Sequence, residues 1–363
     1  MSRPLIILPV VFLLGLQAAT PTGPDSPTPR SEPLLLDRSY PIEVGISFPA
    51  ALLHWLDSLA GLNGPGMTAG KTVEAHREEY GDRFGRLTTE AAARLKRYAE
   101  IRWKVAERAG PEQRNSLTLA FFEANDLDQA LLRSRELLVD DEPEGIGEAL
   151  DYFAPSYEQI WNDAAIPERF VRRAGKDANR KELSEFLVRM AEFFEVPADR
   201  EPHPRVVLVP VPRGHGTHAQ AIEHNLLIEV RDWEGLTDEI SPIVHENAHL
   251  LFSRIGSTRR AEMERLAASL NTRGSQAWQL LHEALPTALG QGVAGEKFLG
   301  DRWSASGRWY HTEPIDLYAK DLFPLVRKSL GKGGRFDDAF LNKAVSIYLK
   351  NDRLAAESTP RSP

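Results

Sequence analysis

Residues 241–252 read Ser241-Pro242-Ile243-Val244-His245-Glu246-Asn247-Ala248-His249-Leu250-Leu251-Phe252. Val244, Ala248, Leu251 and Ile255 recur at helical spacing and predict an amphipathic helix with an apolar stripe. Ser241 is a candidate N-cap, Pro242 suits a first turn, and Gly256 supplies a stop. On such a helix His245 and His249 stand one turn apart on a shared face, beside the buried stripe. Two imidazoles so placed can grip one metal ion. Glu246, between them in sequence, points to the side of the pair, where it can work on a water held by that ion.

The composition narrows which metal and which role. The chain has no cysteine, so a thiolate site is impossible and any metal must be held by His, Glu or Asp. That donor set favours zinc in an open catalytic site, because closed structural zinc sites use mostly Cys. Apolar residues make up 42% and charged residues 26% of the 363, an ordinary globular balance in a chain long enough for two domains. The formal net charge of -8 and the lack of a dense basic run argue against a nucleic-acid partner.

The N-terminus carries the pattern of an export signal over residues 1–20. Arg3 gives a positive start, Leu5 to Leu16 form an apolar core too short for a membrane span, and Ala18-Ala19-Thr20 offer small residues for cleavage. The expected location is secreted or periplasmic, with no stable membrane anchor. Residues 21–36 form a proline-rich linker. Residues 37–200 read as a helical N-terminal domain, with helices at Thr88–Arg108, Ser116–Leu138, Tyr157–Arg173 and Arg180–Phe194. The composition shifts near Pro202, and residues 201–355 read as a second domain, with the Pro-rich stretch Val196–Arg205 either a linker or a loop inside one continuous structure. Val206–Val211 and Leu226–Val230 predict strands, joined by the turn-rich run Pro212–His218. A further helix is expected at Ser275–Ala288, and residues 356–363 form a frayed tail. His215, His218 and His224 match no strong ligand spacing and read as a polar turn. The expected class is α+β, predominantly helical, with a small sheet preceding the HExxH helix.

With strands placed before that helix, the C-terminal half resembles the zincin metallopeptidases, and within them the gluzincin group. The resemblance covers about residues 205–325. The metzincin pattern wants glycine and a third histidine where Phe252 and Ile255 stand, and the aspzincin pattern wants an aspartate that Arg259–Glu264 lacks. In gluzincins the third ligand is a glutamate on a later helix, and the run Leu280-Leu281-His282-Glu283-Ala284-Leu285 is similar to that second motif. Thr287 stands where the thermolysin-like form carries an aspartate, so the likeness is to the wider group.

The resemblance implies one catalytic zinc held by His245, His249 and Glu283, with Glu246 as general base and a peptide or protein as substrate. Glu262, Glu264, His282 and Glu313 are rival third ligands. It also implies a neutral oxyanion donor C-terminal to the third ligand, for which Tyr310, His311 and Tyr318 are candidates. The strand Leu226–Val230 is expected at the sheet edge, where it would pair with an extended substrate. Two alternatives stay open: a non-catalytic zincin-fold binding module, and a zinc hydrolase acting on something other than peptides. The oligomeric state is not readable from the sequence.

Overall fold

The computed structural model describes residues 40–62, 88–113, 115–163, 168–210, 219–230, 240–351 and 353–354. The expected signal, the linker, the run Pro212–His218 and the tail lie outside them. The described residues are mostly helical around one four-stranded mixed sheet. Its strands are β1 (Glu43–Ile46), β2 (Arg205–Pro210), β3 (Ala219–Ile222) and β4 (Asn225–Val230). The order is β1-β2-β4-β3, with β1, β2 and β4 parallel and β3 antiparallel to β4.

β2 and β4 are near-continuous apolar runs because both faces of the sheet are covered. Alternate residues serve two separate cores. Val207, Val209, Ile222 and Leu227 pack against α1 (Phe48–Leu59), α2 (Thr89–Gln113), α3 (Ser116–Phe122), α4 (Leu127–Ser134) and α5 (Glu142–Asp163). Val206, Leu208, Ala221, Leu226, Ile228 and Val230 face the other way. They meet α6 (Glu168–Ala178), α7 (Lys181–Phe193) and the helices that follow the sheet. Those are α8 (Ile240–Ser253), α9 (Ser257–Leu270), α10 (Gly274–Thr287), α11 (Gly295–Phe298), α12 (Glu313–Gly331) and α13 (Asp338–Lys350). A π-helical segment, Ala288–Ala294, continues α10. The sheet takes β1 from before residue 200 and β2–β4 from after it, so the two halves of the chain share it.

Several local expectations change. Leu226–Val230 is not an edge strand: β4 lies between β2 and β3, all its residues are buried, and the edge belongs to β3. Ser116–Leu138 divides into α3 and α4, because Asp126 caps a new helix by accepting from the Gln129 amide at 2.7 Å. Tyr157–Arg173 overlaps α5, which runs to Asp163, and α6, which runs from Glu168; the residues between lie outside the described ones. Ser241 lies inside the first turn of α8 rather than capping it, and its buried hydroxyl has no partner among the described residues. Gly256 opens α9 instead of closing α8. No helix among the described residues is long and apolar enough to cross a membrane.

Candidate metal centre

α8 is wedged between the sheet and α10, and nearly every residue from Ile240 to Phe252 is buried. Its apolar side chains enter the second core, and His245 and His249 turn along its flank toward α10. The close approach of the two helical segments depends on Gly290. A Cβ there would lie 2.5 Å from the Ser241 carbonyl oxygen and 2.9 Å from His245 Cβ.

That approach brings Glu283 of α10 onto the histidine pair. Its Oε2 lies 3.5 Å from His245 Nε2 and 3.4 Å from His249 Nε2, and the two Nε2 atoms are 3.1 Å apart. Metal–ligand bonds of about 2.0–2.1 Å at tetrahedral angles space neighbouring donor atoms about 3.3 Å apart. All three separations fall close to that edge length, so two imidazoles and a carboxylate form one face of a tetrahedron that can hold a metal ion. Burial of Glu283 pushes its carboxyl up, but His249 and His245 outweigh this and hold it well below the usual carboxylate range.

Glu246 is buried at the side of this triangle, with Oε1 4.0 Å from His245 Nε2. Desolvation lifts its pKa to about 7, with a further push from the Glu283 charge; His245 and a hydrogen bond from the Ala221 amide act in the opposite sense. Among the described residues no Lys or Arg pairs with Glu246 or Glu283.

Tyr310 arrives from the loop before α12. Its hydroxyl lies 3.2 Å from Glu283 Oε2, and its ring stacks on His245 at 6.3 Å between centroids. Burial, then the Glu283 charge, raises its pKa far above the ordinary phenol value, so it stays protonated. Asp316 sets its position. The Trp309 and Tyr310 amides donate to Asp316 Oδ1 at 2.6 and 3.1 Å, and Lys320 binds Oδ2 at 2.7 Å. The Arg308 guanidinium braces the same loop by donating to the carbonyl oxygens of Tyr310 and His311.

The other candidates lie elsewhere. His311 is exposed and stacks on the outer side of Tyr310, 4.4 Å between centroids. Tyr318 is a core residue whose hydroxyl donates to the Ala344 carbonyl. His282 points away from the triangle into Phe252 and Trp278, where burial lowers its pKa to about 4. Glu262, Glu264 and Glu313 are exposed and do not join the cluster. Thr287 is fully buried, and its hydroxyl has no partner among the described residues.

Two contributors had no signal in the sequence. Asp316 acts through backbone amides, which leave no motif. Gln291 places Oε1 3.2 Å from His245 Nδ1, and it stands in the π-helical segment, where ordinary helical spacing does not apply. No family model, no curated protein and no solved structure matches the chain.

Proposed function

We propose that this chain is a zinc-dependent peptidase with a zincin-like catalytic arrangement, working outside the cytoplasm after removal of its N-terminal signal. The observation that carries the reading is the triangle of His245, His249 and Glu283 at tetrahedral spacing with a buried carboxyl, Glu246, beside it. Two imidazoles and one carboxylate with no thiolate suit zinc with an open position. When bound, zinc supplies a Lewis acid that acidifies a ligated water and polarises a carbonyl.

The chain's own residues supply the rest. Glu246, beside the triangle, takes a proton from the attacking water and delivers it to the departing amine, so water is added across the C–N bond. The Tyr310 hydroxyl, which donates to Glu283 Oε2, lies beside the triangle and can turn its hydrogen toward the negative charge that develops on the carbonyl oxygen. His311 sits outside it, at the rim.

β3 supports a peptide as substrate. The Ala221 amide turns toward Glu246 and so away from β4. In an antiparallel ladder such residues alternate, so the N–H and C=O groups of Ala219 point outward with those of Ala221. Among the described residues no strand pairs with that edge. An extended peptide added there would lie along α8 with main-chain bonds and little demand on its sequence.

Purified protein is expected to carry about one zinc per chain, as the donor set requires. Glu246→Gln is expected to keep the zinc and to lose cleavage of a mixed peptide library by at least about 100-fold. Absence of metal from the wild type would overturn the reading. Zinc-loaded wild type that cuts no peptide would overturn it in favour of a binding module or a non-peptide hydrolase.

A further inference from the structure

The contact between His245 and Gln291 carries a consequence for the site that rests on the metal reading above. A neutral imidazole has one N–H and one lone pair, and only the lone pair can bind a metal. His245 Nε2 faces His249 and Glu283, while Nδ1 faces Gln291 Oε1 at 3.2 Å. An amide oxygen only accepts, so it selects the form with hydrogen on Nδ1 and leaves Nε2 bare toward the triangle. We infer that Gln291 is the positioning residue of the metal centre, holding His245 in its ligating tautomer and orientation through a neutral acceptor.

The local backbone is built around this one side chain. Gly290 has no room for a Cβ because of His245 and the Ser241 carbonyl, and a Cβ on Gly292 would meet Phe323 at 2.9 Å and Trp309 at 3.1 Å. Gln291, between them, carries the side chain that reaches His245. Its backbone carbonyl accepts from Trp303 Nε1 at 2.8 Å, which clamps the residue from outside. The π-helical winding of Ala288–Ala294 displaces this turn from the regular register of α10, as such turns often do at functional sites.

The neutrality of the acceptor has a physical reason. Glu246, buried, and Glu283, partly so, already place two carboxyl groups side by side without an Arg or Lys partner among the described residues. A third carboxylate on Nδ1 would raise the cost of the metal-free state, whereas an amide orients the ring without adding charge.

The test uses the full chain, Gln291→Leu, which keeps approximate volume, and Gln291→Glu, which keeps an acceptor. Zinc affinity is read by competition with a chromophoric chelator. The His245 tautomer is read in metal-free protein from its imidazole nitrogen resonances. Gln291→Leu is expected to bind zinc about 10- to 100-fold more weakly. Gln291→Glu is expected to restore wild-type affinity or exceed it, and wild-type His245 to carry its hydrogen on Nδ1. A Gln291→Leu protein that binds zinc within twofold of wild type, or a wild-type His245 protonated on Nε2, overturns the inference. If Gln291→Leu fails to fold, the affinity of Gln291→Glu and the wild-type tautomer decide. If the wild type binds no zinc, the metal reading fails by itself and the tautomer still tests the contact.

Discussion

Each face of the sheet holds a polar cluster built around acids, one on the α1 side and two on the α8 side, and the two clusters are balanced in different ways. On the α1 side, Asp57 accepts from Arg102 Nε at 2.9 Å and Nη2 at 2.6 Å, and from the Tyr98 hydroxyl at 2.6 Å. The pair is largely enclosed, with side chains 8% and 13% exposed. A guanidinium is always charged and its fork matches a carboxylate, so the acid is neutralised within the fold. On the α8 side, Glu283 and Glu246 face imidazoles, and neither has a fixed cation among the described residues. Both clusters are tight and polar. Only the second lacks a fixed counter-charge and also brings three donor atoms together, and that combination separates a candidate cation site from a structural ion pair.

The difference predicts distinct responses to truncation. Asp57→Ala strands the Arg102 charge in the first core and is expected to cost about 3–5 kcal/mol in denaturant unfolding. The loss should be the same with zinc or with a chelator, since the network lies across the sheet from the triangle. A loss under about 1 kcal/mol would show that the buried pair is not holding the fold. His249→Ala should differ in its response to zinc. In chelator it is expected to fall somewhat below wild type, because His249 packs on His245 and helps hold the Glu283 charge; the gain on adding zinc is what distinguishes it. Wild type should gain about 2.7 kcal/mol when free zinc stands 100-fold above its dissociation constant, and the variant should lose that gain. A variant stabilised by zinc to the wild-type extent would break the distinction between the two clusters.

Asp316 stands between these cases, a structural carboxylate that serves the site. Burial raises its pKa, but Lys320 and the amides of Trp309 and Tyr310 together bring it below the ordinary aspartate value. An acid whose folded pKa is depressed adds stability above its unfolded pKa of about 3.9, and that stability disappears as pH falls through the folded value. Asp316→Ala is therefore expected to cost about 2 kcal/mol at neutral pH and progressively less below about pH 4. It should also slow peptide cleavage by loosening Tyr310. A destabilisation that does not shrink in acid would mean that Asp316 acts through packing alone.

The parts legible in advance were those encoded within one element. His245 and His249 declare themselves because a helix converts a spacing of four into a shared face. β2 and β4 declare themselves as apolar runs. Glu283 was reachable only through the gluzincin resemblance, which expects a glutamate on a later helix; spacing alone did not single it out from Glu262 or Glu264. β1 was not legible, since four residues ahead of a helix have meaning only beside β2, far along the chain. Leu226–Val230 reads as the edge because β3, Ala-Gln-Ala-Ile, is too short and too bland to announce a strand. Residues 37–200 read as helical and largely are, yet nothing local showed that α6 and α7 would join α8 in one core while α1–α5 formed another. Gln291 and Asp316 act on a ring nitrogen and on backbone amides, and neither contact follows from periodicity.

The smallest expected effect is the sharpest separation of the two clusters. If Asp57, Arg102 and Tyr98 form a structural network, apolar residues of similar shape can replace all three at once. Removing every polar partner together leaves no buried group stranded, and a well-packed apolar triad in place of a buried ion pair is often neutral or mildly stabilising. Asp57→Leu with Arg102→Met and Tyr98→Phe is therefore expected to unfold within about 1 kcal/mol of wild type. Its zinc content and peptide cleavage should be unchanged. Thr118, which accepts from Arg102 Nη2 at 3.0 Å, is only part-buried and can turn to water. A triple variant that folds but loses zinc or cleavage would mean that the first core communicates across the sheet, and the charge balance would then no longer suffice to tell a structural acid from a ligand.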